Sequence, residues 1–241
     1  MKELRLKYLL MRHGESVANA TGIVASTASS ALDGYGLTPK GIRQVEAAIS
    51  QSELMKIADV DSSAGSVNSA GSVDSAISSA SVNSSASSAA IIIYSSDFLR
   101  ARQSALIAGR LLKTEVRFDP RLRERNFGDL EMGSTAAYAQ IWPEDLKNPA
   151  HKKWGVESVN EVLARMLDFL SYMESAESAY RESVEGKSDR GEKTALIVSH
   201  GDPLQILQAY FLFGDPRKHG SNPMENAELA ELQVLRGVRR R

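Results

Sequence analysis

The sequence predicts an α/β fold, a three-layer sandwich built on a mostly parallel central sheet, and three observations predict it. Short apolar runs at residues 8–11, 91–94 and 195–198 have the length and branching of buried strands. Each breaks off at polar residues: Arg12 and His13, Ser95 and Ser96, Ser199 and His200. A helical pattern follows each break, and alternation of strand and helix is the mark of a parallel sheet covered on both faces. With 241 residues, 42% hydrophobic and 24% charged, the chain can bury such a core as a single domain spanning 1–241.

The first strand ends in Arg12, His13 and Gly14, which places a cation and an imidazole side by side at a sheet edge. Guanidinium grips phosphate oxygens bidentately, and a neutral imidazole can attack phosphorus. Residues 19–36 are rich in small and turn-forming types and read as a loop able to fold over that strand end. Thr38 and Pro39 supply an N-cap hydroxyl and a proline at the first helical position; Ile42, Val45 and Ile49 then recur on one face. From about residue 61 to 89 the composition turns to serine, alanine, glycine and asparagine in a drifting short repeat. So little apolar surface cannot offset the entropy of ordering, and a disordered insertion is expected, with its flanks joined as though it were absent.

The second buried strand leads into a helix over 98–112, where Ala101, Ala105, Ala108 and Leu112 share a face. Arg100 stands in its first turn, at the carboxyl edge where open α/β sheets bind ligands. Residues 114–118 read as a short edge strand, and 120–128 as a charged loop that contains Glu124. Ser158 and Glu161 form a capping-box pattern, and Val159, Val162, Leu163, Met166, Leu170 and Met173 trace an amphipathic helix behind it. Asp202 and Pro203 read as the start of the next helix and Gly214 as its stop. Residues 228–235 alternate well enough for a final strand, and 239–241 form a basic tail. Ser199 reads either as a partner that orients His200 or as a simple strand-end residue. His151 and His219 match no motif and read as surface residues.

Composition narrows the function classes. A net charge of −1 gives no general electrostatic case for nucleic acid or an anionic membrane. The absence of cysteine excludes disulfides, thiolate nucleophiles and cysteine-based zinc sites. Charges interrupt the leucines of the first residues, unlike a signal peptide, and no run approaches the roughly 20 apolar residues that span a bilayer. A cytoplasmic location is the expectation.

Several motifs, in order, resemble those of the histidine phosphatase superfamily, the phosphoglycerate-mutase-like proteins. RHGES at 12–16 with Asn19, LTPKG at 37–41 with Gln44, and SSDFLRARQSA at 95–105 are similar to three of them; LRERNFG at 122–128, GVES at 155–158 and VSHG at 198–201 complete the set. The resemblance covers nearly the whole chain outside the serine-rich segment and implies a phosphoglycerate-mutase-like sandwich. It also implies roles: His13 as the nucleophile that becomes phosphohistidine, with Arg12, Arg100 and His200 around the phosphate oxygens. Asn19 would donate to the phosphate, and Glu124 would protonate the leaving oxygen and then activate water. No metal is implied, because the arginines supply the positive charge.

There are departures. Leu130, Glu131 and Met132 stand where many family phosphatases have WEG, and Asp97 and Phe98 replace Pro-Leu. ERNFGDL is also similar to a stretch of the cofactor-dependent mutases, but the paired arginines that follow there have no match in 138–154. The expected activity is therefore a metal-independent phosphatase for a small phosphorylated metabolite. A phosphoglycerate mutase, with 2,3-bisphosphoglycerate as cofactor, is the alternative, and a non-catalytic phospho-ligand-binding module is a third reading. Neither nucleic acid nor membrane is an expected partner, and homodimerisation is left open.

Overall fold

A computed structural model describes residues 4–64, 90–183 and 193–233. In chain order it contains β1 (Lys7–Arg12), α1 (Val17–Thr21), α2 (Ala28–Ala31), α3 (Pro39–Ser50), α4 (Glu53–Ala64), β2 (Ile91–Ser95) and α5 (Leu99–Leu112). There follow β3 (Val116–Phe118), α6 (Tyr138–Lys147), α7 (Val159–Ser183), β4 (Thr194–Ser199), α8 (Gly201–Phe213) and β5 (Leu229–Glu231). The sheet order is β3-β2-β4-β1-β5, with β1 to β4 parallel and β5 antiparallel at the edge beside β1.

Strand alternation divides the core between the two faces. Tyr8 and Leu10 of β1 and Ala195 and Ile197 of β4 pack with Val162, Met166 and Leu170 of α7 and with Leu204 and Leu207 of α8. Met11, Ile93, Leu196 and Val198 point the other way, onto Val45 and Ile49 of α3 and Ala101, Ala105 and Ala108 of α5. The predicted three-layer α/β sandwich is therefore observed. Register then sets the functional edge. Arg12 lies opposite Ser199, and Ser95 opposite Val198. The ladder runs one step past the strands, with His13 N–H donating to Ser199 O at 3.0 Å and Ser96 N–H to Val198 O at 3.0 Å. Three adjacent strands thus deliver His13, Ser96 and His200 to one level.

Helix signals hold in most places. The Thr38 hydroxyl caps α3 by accepting from Gly41 N–H, and Ser158 and Glu161 make the expected reciprocal cap. On α3 the buried face is Gly41, Val45 and Ile49, whereas Ile42 is exposed. The shift has a steric cause. A Cβ on Gly41 would strike the Glu15 backbone, and one on Gly14 would strike Gly41, so α3 lies backbone to backbone on the turn after β1. The start of α8 is two residues earlier than expected, with His200 as N-cap and Asp202 inside the first turn. Residues 19–21 and 28–31 of the expected 19–36 loop belong to the short helices α1 and α2, and within the described residues the final strand is Leu229–Glu231. Residues 61–64, read as the beginning of a disordered insertion, belong to α4; the remainder of that insertion, 65–89, and the basic tail at 239–241 lie outside the described residues. Among the described residues no helix is long and apolar enough to cross a membrane.

The reading of His151 and His219 as surface residues is overturned. They are only 7% and 1% exposed, and both bind the buried Asp145 of α6, His151 Nε2 at 2.8 Å and His219 Nε2 at 3.1 Å. Arg125, itself fully buried, forks the same carboxylate through two 2.8 Å hydrogen bonds and reaches Asp202 at 3.2 Å. Burial works against the Asp145 charge, but Arg125 and His219 outweigh it and hold the carboxyl well below its usual range. Removal of one partner would strand the others. Asp145→Ala should therefore cost about 3–5 kcal/mol of stability, the scale for breaking a buried ion pair, read as a lowered midpoint in urea unfolding.

Candidate active site

His13 lies at the end of β1, 2% exposed. Its Nδ1 is 2.7 Å from Gly14 O, which can only accept, so Nδ1 carries the proton. Nε2 then presents a lone pair, and Arg100 Nε–H donates to it at 3.1 Å. Burial first, then the charges of Arg100 and Arg12, push the proton affinity of His13 well below the ordinary histidine value. The ring is therefore a neutral imidazole with Nε2 free of its own proton, which is the form that acts as a nucleophile.

Arg100 reaches this ring from the first turn of α5. Its Nη2 donates to Ala25 O at 2.9 Å, while the buried Nη1 has no partner among the described residues. Ser104 fixes the approach, since its hydroxyl donates to Arg100 O at 2.7 Å and accepts from Gly14 N–H at 3.1 Å. Arg12 gives Nη1 to Met224 O at 2.6 Å, and its buried Nε is likewise without a partner among the described residues.

His200 is fully buried, and its ring meets the His13 ring edge-on at a centroid distance of 5.1 Å. Its orienting partner is Ser96, whose Oγ lies 2.9 Å from Nε2 and also accepts from Phe98 N–H at 3.2 Å. Ser199 does not orient it; that hydroxyl donates to Leu122 O at 2.7 Å. The Nδ1 of His200 is a third buried polar atom without a partner among the described residues. Burial and the charge of Arg100 keep this imidazole neutral too.

Glu124 is half-buried and accepts a single hydrogen bond, from Arg125 N–H at 3.0 Å. Burial raises its pKa most, the Asp202 carboxylate adds to that, and Arg100 and Arg12 pull the other way; the result is pushed up to about 7. A carboxyl poised there can both give and take a proton near neutrality. Asn19, expected to donate to the phosphate, lies beside the backbone of the His13 turn. Its Oδ1 accepts from Ser16 N–H, Ser16 Oγ and Asn226 Nδ2, and Asn226 also donates to His13 O at 3.2 Å. Asn19 is thus tied through its acceptor oxygen to the backbone that carries His13, and these contacts do not engage the side-chain amide nitrogen that would donate to a phosphate.

Of the residues expected at the site, His13, Arg12, Arg100, His200 and Glu124 converge. Ser96, Ser104, Asp202 and Met224 O join them without having been singled out. Ser96 lay inside a quoted motif, and only the level strand ends give it a role. Beyond Phe98 and Glu124 opens a cleft of about 540 Å³, also lined by Arg123, Lys152 and Arg165. Each of these cations has a carboxylate partner: Arg123 forks Asp97 at 2.7 and 2.6 Å, Lys152 meets Glu161 at 2.6 Å, and Arg165 meets Glu157 at 2.8 Å.

The sequence profile of the histidine phosphatase superfamily (branch 1) matches residues 79–240. A glucosyl-3-phosphoglycerate phosphatase of Mycobacterium tuberculosis is 30% identical over 129 residues, 51% of this chain and 54% of that protein. The fructose-2,6-bisphosphatase TIGAR of Xenopus laevis is 31% identical over 102 residues, 39% of this chain and 37% of its own. The chain thus spans about half the length of the first of these relatives and less of the second. Among solved structures, a mycobacterial glucosyl-3-phosphoglycerate phosphatase complexed with VO3 superposes with a TM-score of 0.63 at 21% identity, covering 94% of this chain and 90% of that one. The alpha-ribazole phosphatase of Shigella flexneri gives 0.58 at 20% identity, covering 94% and 89%. At such identities the likeness concerns the fold.

The protonation states are open to direct measurement. Long-range ¹H–¹⁵N spectra should show His13 as the Nδ1–H tautomer, with both His13 and His200 remaining neutral as pH falls through 6.5. Titration of either ring near that pH would contradict the geometry described above.

Proposed function

The chain belongs to the histidine phosphatase superfamily, and from that premise we propose that it hydrolyses a small phosphomonoester through a phosphohistidine at His13. One observation carries the proposal. Among the described residues Arg12 Nε, Arg100 Nη1 and His200 Nδ1 are buried without partners, in the same cluster as the His13 lone pair. An unmet buried polar group costs about 1–3 kcal/mol, and the oxygens of a phosphoryl group would meet all three. His200 Nδ1 is a donor when Ser96 gives its hydroxyl proton to Nε2, which it is free to do because its oxygen already accepts from Phe98.

In the first half-reaction a phosphoryl oxygen takes over the Arg100 Nε–H, releasing the Nε2 lone pair. Nε2 attacks phosphorus in line, the P–N bond forms and the P–O bond to the organic group breaks. Glu124 gives its proton to the departing oxygen. In the second, the Glu124 carboxylate takes a proton from water, whose oxygen attacks phosphorus; the P–N bond breaks and phosphate leaves with His13 neutral again. Arg12 and Arg100 supply the positive charge for both transfers, so positioning and electrostatics dominate.

Hydrolysis is favoured over a mutase reaction by the adjoining cleft. A mutase must hold a second phosphate while the first is transferred, and Arg123, Lys152 and Arg165 are each already paired. The leaving group that suits such a cleft is small, polar and without a second phosphate. The relatives' names point to phosphorylated sugars and glycerates as the first compounds to assay. Incubation with 3-phosphoglycerate, with and without 2,3-bisphosphoglycerate, separates the two activities; isomerisation without phosphate release would establish the mutase.

Two outcomes test the mechanism. Rapid quench with a labelled phosphomonoester should trap acid-labile, base-stable label that disappears in His13→Ala. Because Glu124 must be protonated to serve the leaving oxygen, kcat/KM should fall as pH rises above about 7. Glu124→Gln should remove that limb and slow alkyl phosphates by roughly 10²- to 10⁴-fold, with a much smaller effect on nitrophenyl phosphate.

A further inference from the structure

Glu131 follows the acid loop, and no step of the reaction above uses it. Its carboxylate nevertheless gathers five donors from one short segment. Oε2 accepts from Ser26 N–H at 2.9 Å and from the Ser26 hydroxyl; Oε1 accepts from Thr27 N–H at 3.2 Å, Thr27 Oγ1 at 3.1 Å and the Ser30 hydroxyl. Backbone ties lie beside it, Met132 N–H to Val24 O at 2.8 Å and Val24 N–H to Gly133 O at 2.9 Å. The fastened segment has two functional edges. Ala25 O, one peptide from Ser26, receives Arg100 Nη2 at 2.9 Å, and Ser26, Thr27 and Ala28 form one wall of the cleft.

We propose that Glu131 is a positioning residue for Arg100: it clasps residues 26–30 so that Ala25 O holds Nη2 and leaves Nε and Nη1 for the phosphoryl group. The inference rests on the proposed role of Arg100. Ala25 O is the carbonyl that holds Nη2, since of the other two guanidinium nitrogens Nε bonds His13 and Nη1 has no partner among the described residues. The ties at Val24 and the Phe127 N–H bond to Ser26 Oγ hold the near end of the segment, and Glu131 alone among these holds Thr27 and Ser30 as well. The Glu131 charge is stable where it stands. Burial opposes it, but the Ser26 and Ser30 hydroxyls and the amides of Ser26 and Thr27 outweigh burial and keep the carboxyl below its ordinary range. That charge is also felt at Arg100. Loss of the clasp releases the Thr27 and Ser30 donors to water, since both residues are partly exposed, whereas Ser26 is buried and stays tied by Phe127 N–H to its hydroxyl oxygen.

A double-mutant cycle reads this coupling, with inorganic phosphate as the probe. Dissociation constants are measured by titration calorimetry for the unaltered protein, Glu131→Gln, Arg100→Lys and the double variant. Glu131→Gln should weaken phosphate binding about tenfold in the Arg100 background and less than about twofold once Arg100 is Lys. It should also lower kcat/KM for nitrophenyl phosphate by a similar factor. Ser30→Ala, which removes one donor and keeps the carboxylate, should act in the same direction by about twofold and serves if Glu131→Gln folds poorly. Equal losses in both backgrounds, or none in either, would overturn the role of Glu131 while leaving the proposed function intact, provided Arg100→Lys itself weakens binding. Failure of the unaltered protein to bind phosphate would overturn both.

Discussion

The structure depends on one electrostatic constraint: His13 must remain an uncharged imidazole between two guanidinium groups. A buried imidazolium there would face Arg12 and Arg100 without a counter-charge at hand, so burial and repulsion act together to keep the proton off. The Gly14 carbonyl then decides which nitrogen keeps the remaining proton, and Arg100 accordingly meets a lone pair and not a competing N–H. A cation bonded to a neutral nitrogen is a weak holding arrangement. It is stable enough to order the site and easily surrendered to an oxyanion.

That arrangement is positioned by the sheet before any side chain acts. Level strand ends place His13, Ser96 and His200 within one ladder step, and the backbone contact of Gly14 with Gly41 presses the turn onto α3. Ser104 joins the same turn to α5, so Arg100 and His13 are located relative to each other by two hydrogen bonds of one hydroxyl. Precision comes from rigid elements.

The legible portion of the molecule was the portion governed by local periodicity. The buried strands at 91–95 and 194–199, the alanine face of α5 and the capping box of α7 all follow from residues within a few positions of one another. Arg12, His13, Arg100 and His200 were legible because each closes or opens such an element, whereas Glu124 lies in a charged loop and was singled out through the family resemblance. What escaped was long-range pairing. His151 and His219 were misread as surface residues because their shared partner, Asp145, lies on α6, and Pro143 within that helix disguises its pattern. The tie between Asn19 and Asn226 escaped for the same reason, because the two lie more than two hundred residues apart.

Three carboxylates near the site show how environment, and not residue type, divides the work. Asp145 is buried but gripped by a guanidinium fork and two imidazoles, which fix it as an anion. Glu131 is partly buried and saturated by donors from a single segment, which also fixes it as an anion. Glu124 is enclosed as well, yet it accepts one backbone hydrogen bond and has Asp202 as a neighbour. Arg125 cannot rescue its charge, because that guanidinium is engaged by Asp145 and Asp202. Donor saturation lowers proton affinity and desolvation raises it, so the carboxyl with the fewest donors is the one left able to exchange a proton near neutrality. The network around Asp145 therefore bears on proton affinity as well as on stability: by occupying Arg125, it leaves the Glu124 carboxyl without a guanidinium partner of its own.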